Sequence, residues 1–144
     1  MKLYNAKDIL NIAIAGHSGA GKTSIAEAML YLSGATDRFG KVGEGNTVCD
    51  YDPEEIRRKT TVSAAIAPLE WRNHKINLLD APGLFDFEGA MCEAVRAADS
   101  VLIAVSGKDG VNVGTEKAVA AADARGFAEI FFFHRPCGER ANSL

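Results

Sequence analysis

The octapeptide Gly16-His17-Ser18-Gly19-Ala20-Gly21-Lys22-Thr23 constrains this chain more than any other stretch. It has the spacing G-x-x-x-x-G-K-[ST] and stands between a short apolar run, Ile12–Ala15, and a helical pattern that opens at Lys22. A strand before and a helix after are what a phosphate-binding loop (P-loop) requires. Gly16 and Gly21 permit backbone angles closed to other residues, so main-chain amides can close on an anion. Those amides and the positive end of the following helix make a phosphate cradle, with His17, Ser18, Gly19 and Ala20 inside it and Ser24 at its exit. Lys22 is placed to reach the terminal phosphates of a nucleoside triphosphate, and the Thr23 hydroxyl to ligate Mg²⁺.

The periodicity around the loop is that of an α/β domain. After Lys22, the apolar residues Ile25, Met29 and Leu32 recur at helical spacing, and Gly34 stops the pattern. Met1–Asn11 reads as a polar lead-in. The stretch from Gly34 to Lys59 has neither period and is rich in Gly, Asp, Glu and Arg, so it reads as one long functional loop. Val62–Trp71 and Lys75–Asp80 return to strand chemistry around an Asn73-His74 turn, which predicts an antiparallel hairpin. Met91, Val95 and Ala98 mark a short helix. Val101–Val105 is a buried parallel strand, Thr115–Arg125 an Ala-rich helix closed by Gly126, and Ile130–Phe133 a last buried strand. The order β-α-β-β-α-β-α-β calls for a P-loop NTPase sheet, mostly parallel with one antiparallel strand and with helices on both faces.

A second motif falls where such a sheet binds ligands. Leu78-Leu79-Asp80-Ala81-Pro82-Gly83 puts a carboxylate at the carboxyl end of a strand, followed by a glycine. Asp80 can hold Mg²⁺ opposite Thr23, and the Gly83 amide can sense a γ-phosphate. The long loop ends in Thr60-Thr61-Val62, where the Thr61 hydroxyl can complete the metal shell.

Composition bounds the partners. The net charge of −3 argues against a free-standing nucleic-acid binder, DNA included. The triplet Arg57-Arg58-Lys59 reads as a solvated loop face that can also touch RNA on a larger assembly. The three cysteines, Cys49, Cys92 and Cys137, lack metal-ligand spacing and suit reduced thiols. No apolar run reaches signal-peptide or membrane-spanning length, so the expectation is a soluble, cytoplasmic protein.

With the P-loop, the stretches VGEGNTVCDYDPEEIRRKTTVSAAIAPLEW and HKINLLDAPGLFDFEGAMCEAVRAADSVLIAVSGKDGVNVGTEKA make the chain resemble the amino-terminal GTPase domain of elongation factor G. The elongation factor G-like branch is the nearer likeness, and it runs from about Asn11 to about Asn142. The resemblance implies GTP, Mg²⁺, the ribosome as partner, and two switch segments at 34–61 and 81–88. It also implies a partial translational-type G domain over 1–144, incomplete at its carboxyl end, with the final strand, helix and later domains absent. By the same likeness Lys22, Thr61 and Gly83 are the catalytic positions.

Two stretches depart from the family pattern. The family carries Asn-Lys-x-Asp for guanine where this chain has His134-Arg135-Pro136-Cys137, and the likeness resumes at Glu139–Asn142. The hypothesis for an altered window between two matching flanks is a locally altered reading frame or a sequence error over His134–Gly138. The second switch of the family reads Asp-Thr-Pro-Gly-His, its His orienting the attacking water, and this chain has Leu84. An apolar side chain can neither accept nor donate a hydrogen bond to water. The alternatives to a working GTPase are therefore a nucleotide-gated binding module with little hydrolysis, and an inactive truncated fragment. Single-turnover GTP hydrolysis with ribosomes should rise about 100-fold on Leu84→His. Equal rates for the two proteins would show that Leu84 withdraws nothing.

Overall fold

The computed structural model describes residues 2–134. The altered guanine positions 135–137 and the resumed likeness at 139–142 lie outside the described residues, as does Cys137.

The first strand, β1 (Ile9–Gly16), runs into the P-loop, and helix α1 (Lys22–Leu32) leaves it. A short helix α2 (Pro53–Arg58) precedes β2 (Ala65–Trp71) and β3 (His74–Asp80). Then come α3 (Glu88–Ala97), β4 (Ser100–Ser106), α4 (Val113–Asp123) and β5 (Glu129–His134). The five strands form one sheet in the order β2-β3-β1-β4-β5, antiparallel only between β2 and β3.

Alternation along the central strands builds two cores. Ile14, Leu78, Leu102 and Ala104 face α1, where they meet Ile25, Ala26 and Leu30. Ala13, Ala15, Leu79, Ile103 and Val105 face the other way, onto Met91, Ala94 and Val95 of α3 and Ala118 and Ala122 of α4. Burying β1 and β4 on both faces explains why they read as unbroken apolar runs. Since α1 and α3 leave β1 and β3 towards opposite faces, a crevice opens beyond the carboxyl ends of those two strands.

Several boundaries differ from the sequence reading. The lead-in is not all polar coil, because Ile9–Asn11 already pairs with Lys75–Asn77. Asn11 and Asn77 satisfy each other across that pair at 2.8 Å, which lets polar residues enter the sheet. The hairpin turn is Arg72-Asn73, both with positive φ (46° and 66°), closing Trp71 onto His74. Two positive φ values match the right-handed twist of a two-residue hairpin. The long loop is not structureless, since α2 interrupts it with a capping box. Asp52 accepts from the Glu54 amide, and Glu55 accepts in return from the Asp52 amide at 3.2 Å. Pro53 at the first helical position completes the start signal.

The last strand is a correction in burial. Ile130, Phe131, Phe132 and Phe133 are exposed, at 41% to 69%. The sheet order leaves β5 at an edge, and among the described residues no helix packs over it. No helix among the described residues is long and apolar enough to cross a membrane.

Gly16 is the one position where the sheet and the loop cannot both be kept with a side chain. Its φ is 134°, and a β-carbon there would drive into the Ala104 carbonyl of β4. Gly16→Ala is expected to lower unfolding free energy by about 2 kcal/mol or more in urea titration, strain and overlap acting together.

Candidate functional site

A cavity of about 240 Å³ lies at the crevice, lined by Ser18, Gly19, Gly21, Lys22, Thr23 and Ser24 on one side. Val42, Asp50, Lys59, Thr60 and Thr61 of the long loop form the opposite wall, and Gly83 closes it. That volume lies below the roughly 300–1,000 Å³ of ordinary small-molecule pockets, so it suits a polyphosphate tail better than a whole nucleotide.

The residues of the octapeptide divide by role in the packing. Gly21 caps α1 from the left-handed region, φ 89°, and so turns the chain from loop into helix. Lys22 is buried, and its Nζ donates to the His17 carbonyl at 2.9 Å, folding the side chain back along the loop. Ala20 is a core residue beneath the loop, and Gly16 underlies it against β4. The side chain of His17 lies against Gly114 at the start of α4. A β-carbon on Gly83 would come within 2.7 Å of the Ser18 amide nitrogen and onto Lys22 Nζ. Gly83 thus sits directly on the octapeptide, and only a bare backbone fits there.

Four polar side chains form a linked series behind the cavity. The Thr23 hydroxyl donates to Asp80 Oδ2 at 2.7 Å and stands 3.2 Å from the Thr61 hydroxyl. Thr61 donates in turn to Asp50 Oδ1 at 2.7 Å. The remaining oxygens, Asp80 Oδ1 and Asp50 Oδ2, are buried with no hydrogen-bond partner. Burial pushes the Asp80 carboxyl up to about 7, against the Thr23 hydrogen bond and the charge of Lys22, with Asp50 and Glu27 adding to the rise. Burial likewise raises Asp50, the Thr61 hydrogen bond opposing it. Burial lowers Lys22, while Asp80 and Asp50 pull it back up.

Sequence reasoning placed Thr23, Thr61, Asp80, Lys22 and Gly83 together, and the structure brings all five to one end of the sheet. It missed Asp50, which carries no motif and lies in an aperiodic stretch. The only nearby signal is the capping sequence Asp52-Pro53-Glu54-Glu55, which fixes the chain two residues on. It also missed Lys59, at the left-handed C-cap of α2 (φ 53°), which lines the cavity, whereas Arg57 and Arg58 turn outward onto Glu54.

Comparison with known proteins places this geometry in a family. Residues 7–134 match the model of the elongation factor Tu GTP binding domain. The chain belongs to that family. It is 40% identical over 125 residues to a mitochondrial ribosome-releasing factor 2 of Scheffersomyces stipitis, covering 87% of this chain and 15% of that protein. An elongation factor G-like protein of Mycobacterium tuberculosis is 41% identical over 108 residues, 75% of this chain and 15% of its own length. A solved structure from Thermus thermophilus superposes with a TM-score of 0.84 at 46% identity, over 87% of this chain and 19% of that one. The chain therefore spans about a sixth of the curated relatives it matches, such as these at 15%. The translation elongation factor SelB of Methanococcus maripaludis, solved with a GTP analogue, shares the fold at TM-score 0.65 and 22% identity.

The raised Asp80 carboxyl has a definite sign for stability. Its folded pKa of about 7 lies above the ordinary 3.8, so the folded state holds a proton that the unfolded chain releases. That contribution is complete below about pH 4 and is lost as pH rises through about 7. In metal-free, nucleotide-free protein, Asp80→Asn should hold its melting temperature between about pH 5 and pH 8 while wild type declines. Parallel pH curves for the two would contradict the assignment.

Proposed function

We propose that this chain is the nucleotide-handling part of a ribosome-acting translational GTPase, with GTP as substrate and Mg²⁺ as cofactor. On this reading residues 1–144 form part of the amino-terminal G domain of a longer factor. The observation that carries it is the convergence of Lys22, Thr23, Thr61 and Gly83 on one cavity, with Asp80 bound to Thr23 directly behind it. Family membership and relatives named for ribosome release and elongation support GTP and the ribosome over other nucleotides and assemblies.

The donor set fits a hard cation. Two hydroxyls, Thr23 and Thr61, and two carboxylate oxygens without partners, on Asp80 and Asp50, are the oxygen ligands that Mg²⁺ selects. Thr23 and Thr61 would touch the ion, and Asp80 and Asp50 would hold its shell. Bound there, Mg²⁺ would neutralise phosphate charge and offset the burial that raises both carboxyls.

Each remaining residue has a part in phosphoryl transfer to water. Lys22 would stabilise charge on the β- and γ-phosphates as the bond to the bridging oxygen breaks. The octapeptide from Gly16 to Ser24, His17, Ser18, Gly19, Ala20 and Gly21 among them, would hold the phosphates in line. Gly83 would report the γ-phosphate and Thr61 would withdraw when it leaves, which makes both loops switches. Leu84, 38% exposed beside Gly83, supplies no polar group to the attacking water. That observation favours a second reading, a GTP-gated binding module that hydrolyses slowly without help from another group.

Titration with fluorescent GTP and ATP analogues in Mg²⁺ tests binding. Wild type should saturate, and Lys22→Ala should weaken the GTP analogue by about 100-fold, the scale of a lost charge-assisted phosphate contact. No saturation by either nucleotide at millimolar concentration would defeat both readings and leave an inert fragment.

A further inference from the structure

Glu27 is a fully buried acid that the nucleotide chemistry does not use. It lies on α1 one turn after Thr23, on the same helix face. Its side chain points into the middle of the long loop and not into the cavity. Oε1 accepts from the Val48 amide at 2.6 Å and from the Cys49 amide at 3.3 Å. Its other oxygen packs against Gly40, where a β-carbon would strike the carboxylate and come within 3.0 Å of the Thr47 Cα. Glu27 is 1% exposed, and Cys49 beside it is equally buried in the core under α1.

A buried carboxylate is stable only when its oxygens are met by donors, and here the donors are loop amides. The next residue after Cys49 is Asp50, which receives Thr61, which stands against Thr23. Hydrogen bonds, the 3.2 Å contact between the Thr23 and Thr61 hydroxyls and the chain itself together close a circuit. It runs from Thr23 through Thr61 and Asp50 to Cys49, then through Glu27 back to the same helix one turn on. Two successive turns of α1 thus grip one loop at two points.

Resting on the nucleotide reading of the cavity, the geometry points to Glu27 as a positioning residue. It fastens Val48 and Cys49 to α1 so that Asp50 and Thr61 face Thr23 and Asp80. It touches neither phosphate nor metal. Its influence falls on the closed arrangement of the loop, in which Thr61 already stands against Thr23 and which a γ-phosphate with Mg²⁺ would reinforce. Diphosphate binding depends on the octapeptide, which Glu27 leaves alone.

Two readouts on the purified chain test this, with Glu27→Ala and Glu27→Gln beside wild type. The first needs no nucleotide: maleimide labelling resolved by mass spectrometry, comparing Cys49 with Cys92. The second compares affinity for fluorescent GDP with that for a non-hydrolysable GTP analogue in Mg²⁺. In Glu27→Ala, Cys49 should label about tenfold faster with Cys92 unchanged, and the GTP analogue should weaken about tenfold with GDP within about twofold. Glu27→Gln, which keeps an acceptor oxygen, should restore most of both. Should Glu27→Ala not fold, Gly40→Ala crowds the same carboxylate from the loop side and should move both readouts the same way. Cys49 staying protected, or GDP and the GTP analogue weakening together, would overturn the proposal. Failure of the functional reading would show differently, as wild type binding neither nucleotide, and would remove the positioning role whatever Cys49 does.

Discussion

The hydrogen bond from the Thr23 hydroxyl to the Asp80 carboxylate is the contact on which the rest depends. It joins the first turn of α1 to the last residue of β3, the neighbouring strand of the sheet. Asp80 is completely buried, level with Ile14 of β1 in the parallel register. A carboxyl in that position is costly unless donors or a cation answer it. One oxygen has Thr23, and the other is buried behind the site with no hydrogen-bond partner. The fold therefore keeps an unsatisfied acceptor at the mouth of its own sheet, the kind of local cost found where a protein waits for a ligand.

The long segment from Gly34 to Lys59 is ordered by acids working from below. Glu27 holds it in the middle, and Glu55 holds its exit by accepting from the Val62 and Ser63 amides at 2.9 Å and 3.1 Å. Those two amides would otherwise extend β2, which starts only at Ala65. Glu55 thus delays the strand, and the delay leaves Thr61 free to face the cavity instead of entering the sheet. Side-chain carboxylates here do what backbone ladders do elsewhere, but only a few bonds secure each stretch. Segments held this way open more easily than the sheet they adjoin.

Much of this was legible in the residues because it depends on local patterns. The octapeptide predicts its own strand, turn and helix. The alternation in Val62–Trp71 and Lys75–Asp80 predicts a hairpin, and unbroken apolar runs predict strands buried on both faces. What escaped depends on contacts between distant residues. Helix α2 is six residues long, too short for a period to show, although its capping box was there to be read. Asp50 is drawn into the site where it meets Thr61, eleven positions away. Asn11 interrupts the apolar residues Ile9 and Leu10 and Ile12–Ala15, and its place in a strand shows only when it meets Asn77. Ile130–Phe133 has the composition of a central strand, and its exposure follows from a place in the strand order that no local pattern encodes.

The Arg72-Asn73 turn offers a practical handle. It joins the end of β2 to the beginning of β3, so it hangs from the rim of the sheet farthest from Asp80 and the octapeptide. Both residues are exposed, and the strands they join are paired up to Trp71 and His74. Exposed loop tips of this kind tolerate insertions best. A dye-bearing or affinity-tag peptide spliced there would report on the whole protein while leaving its chemistry undisturbed at the opposite pole.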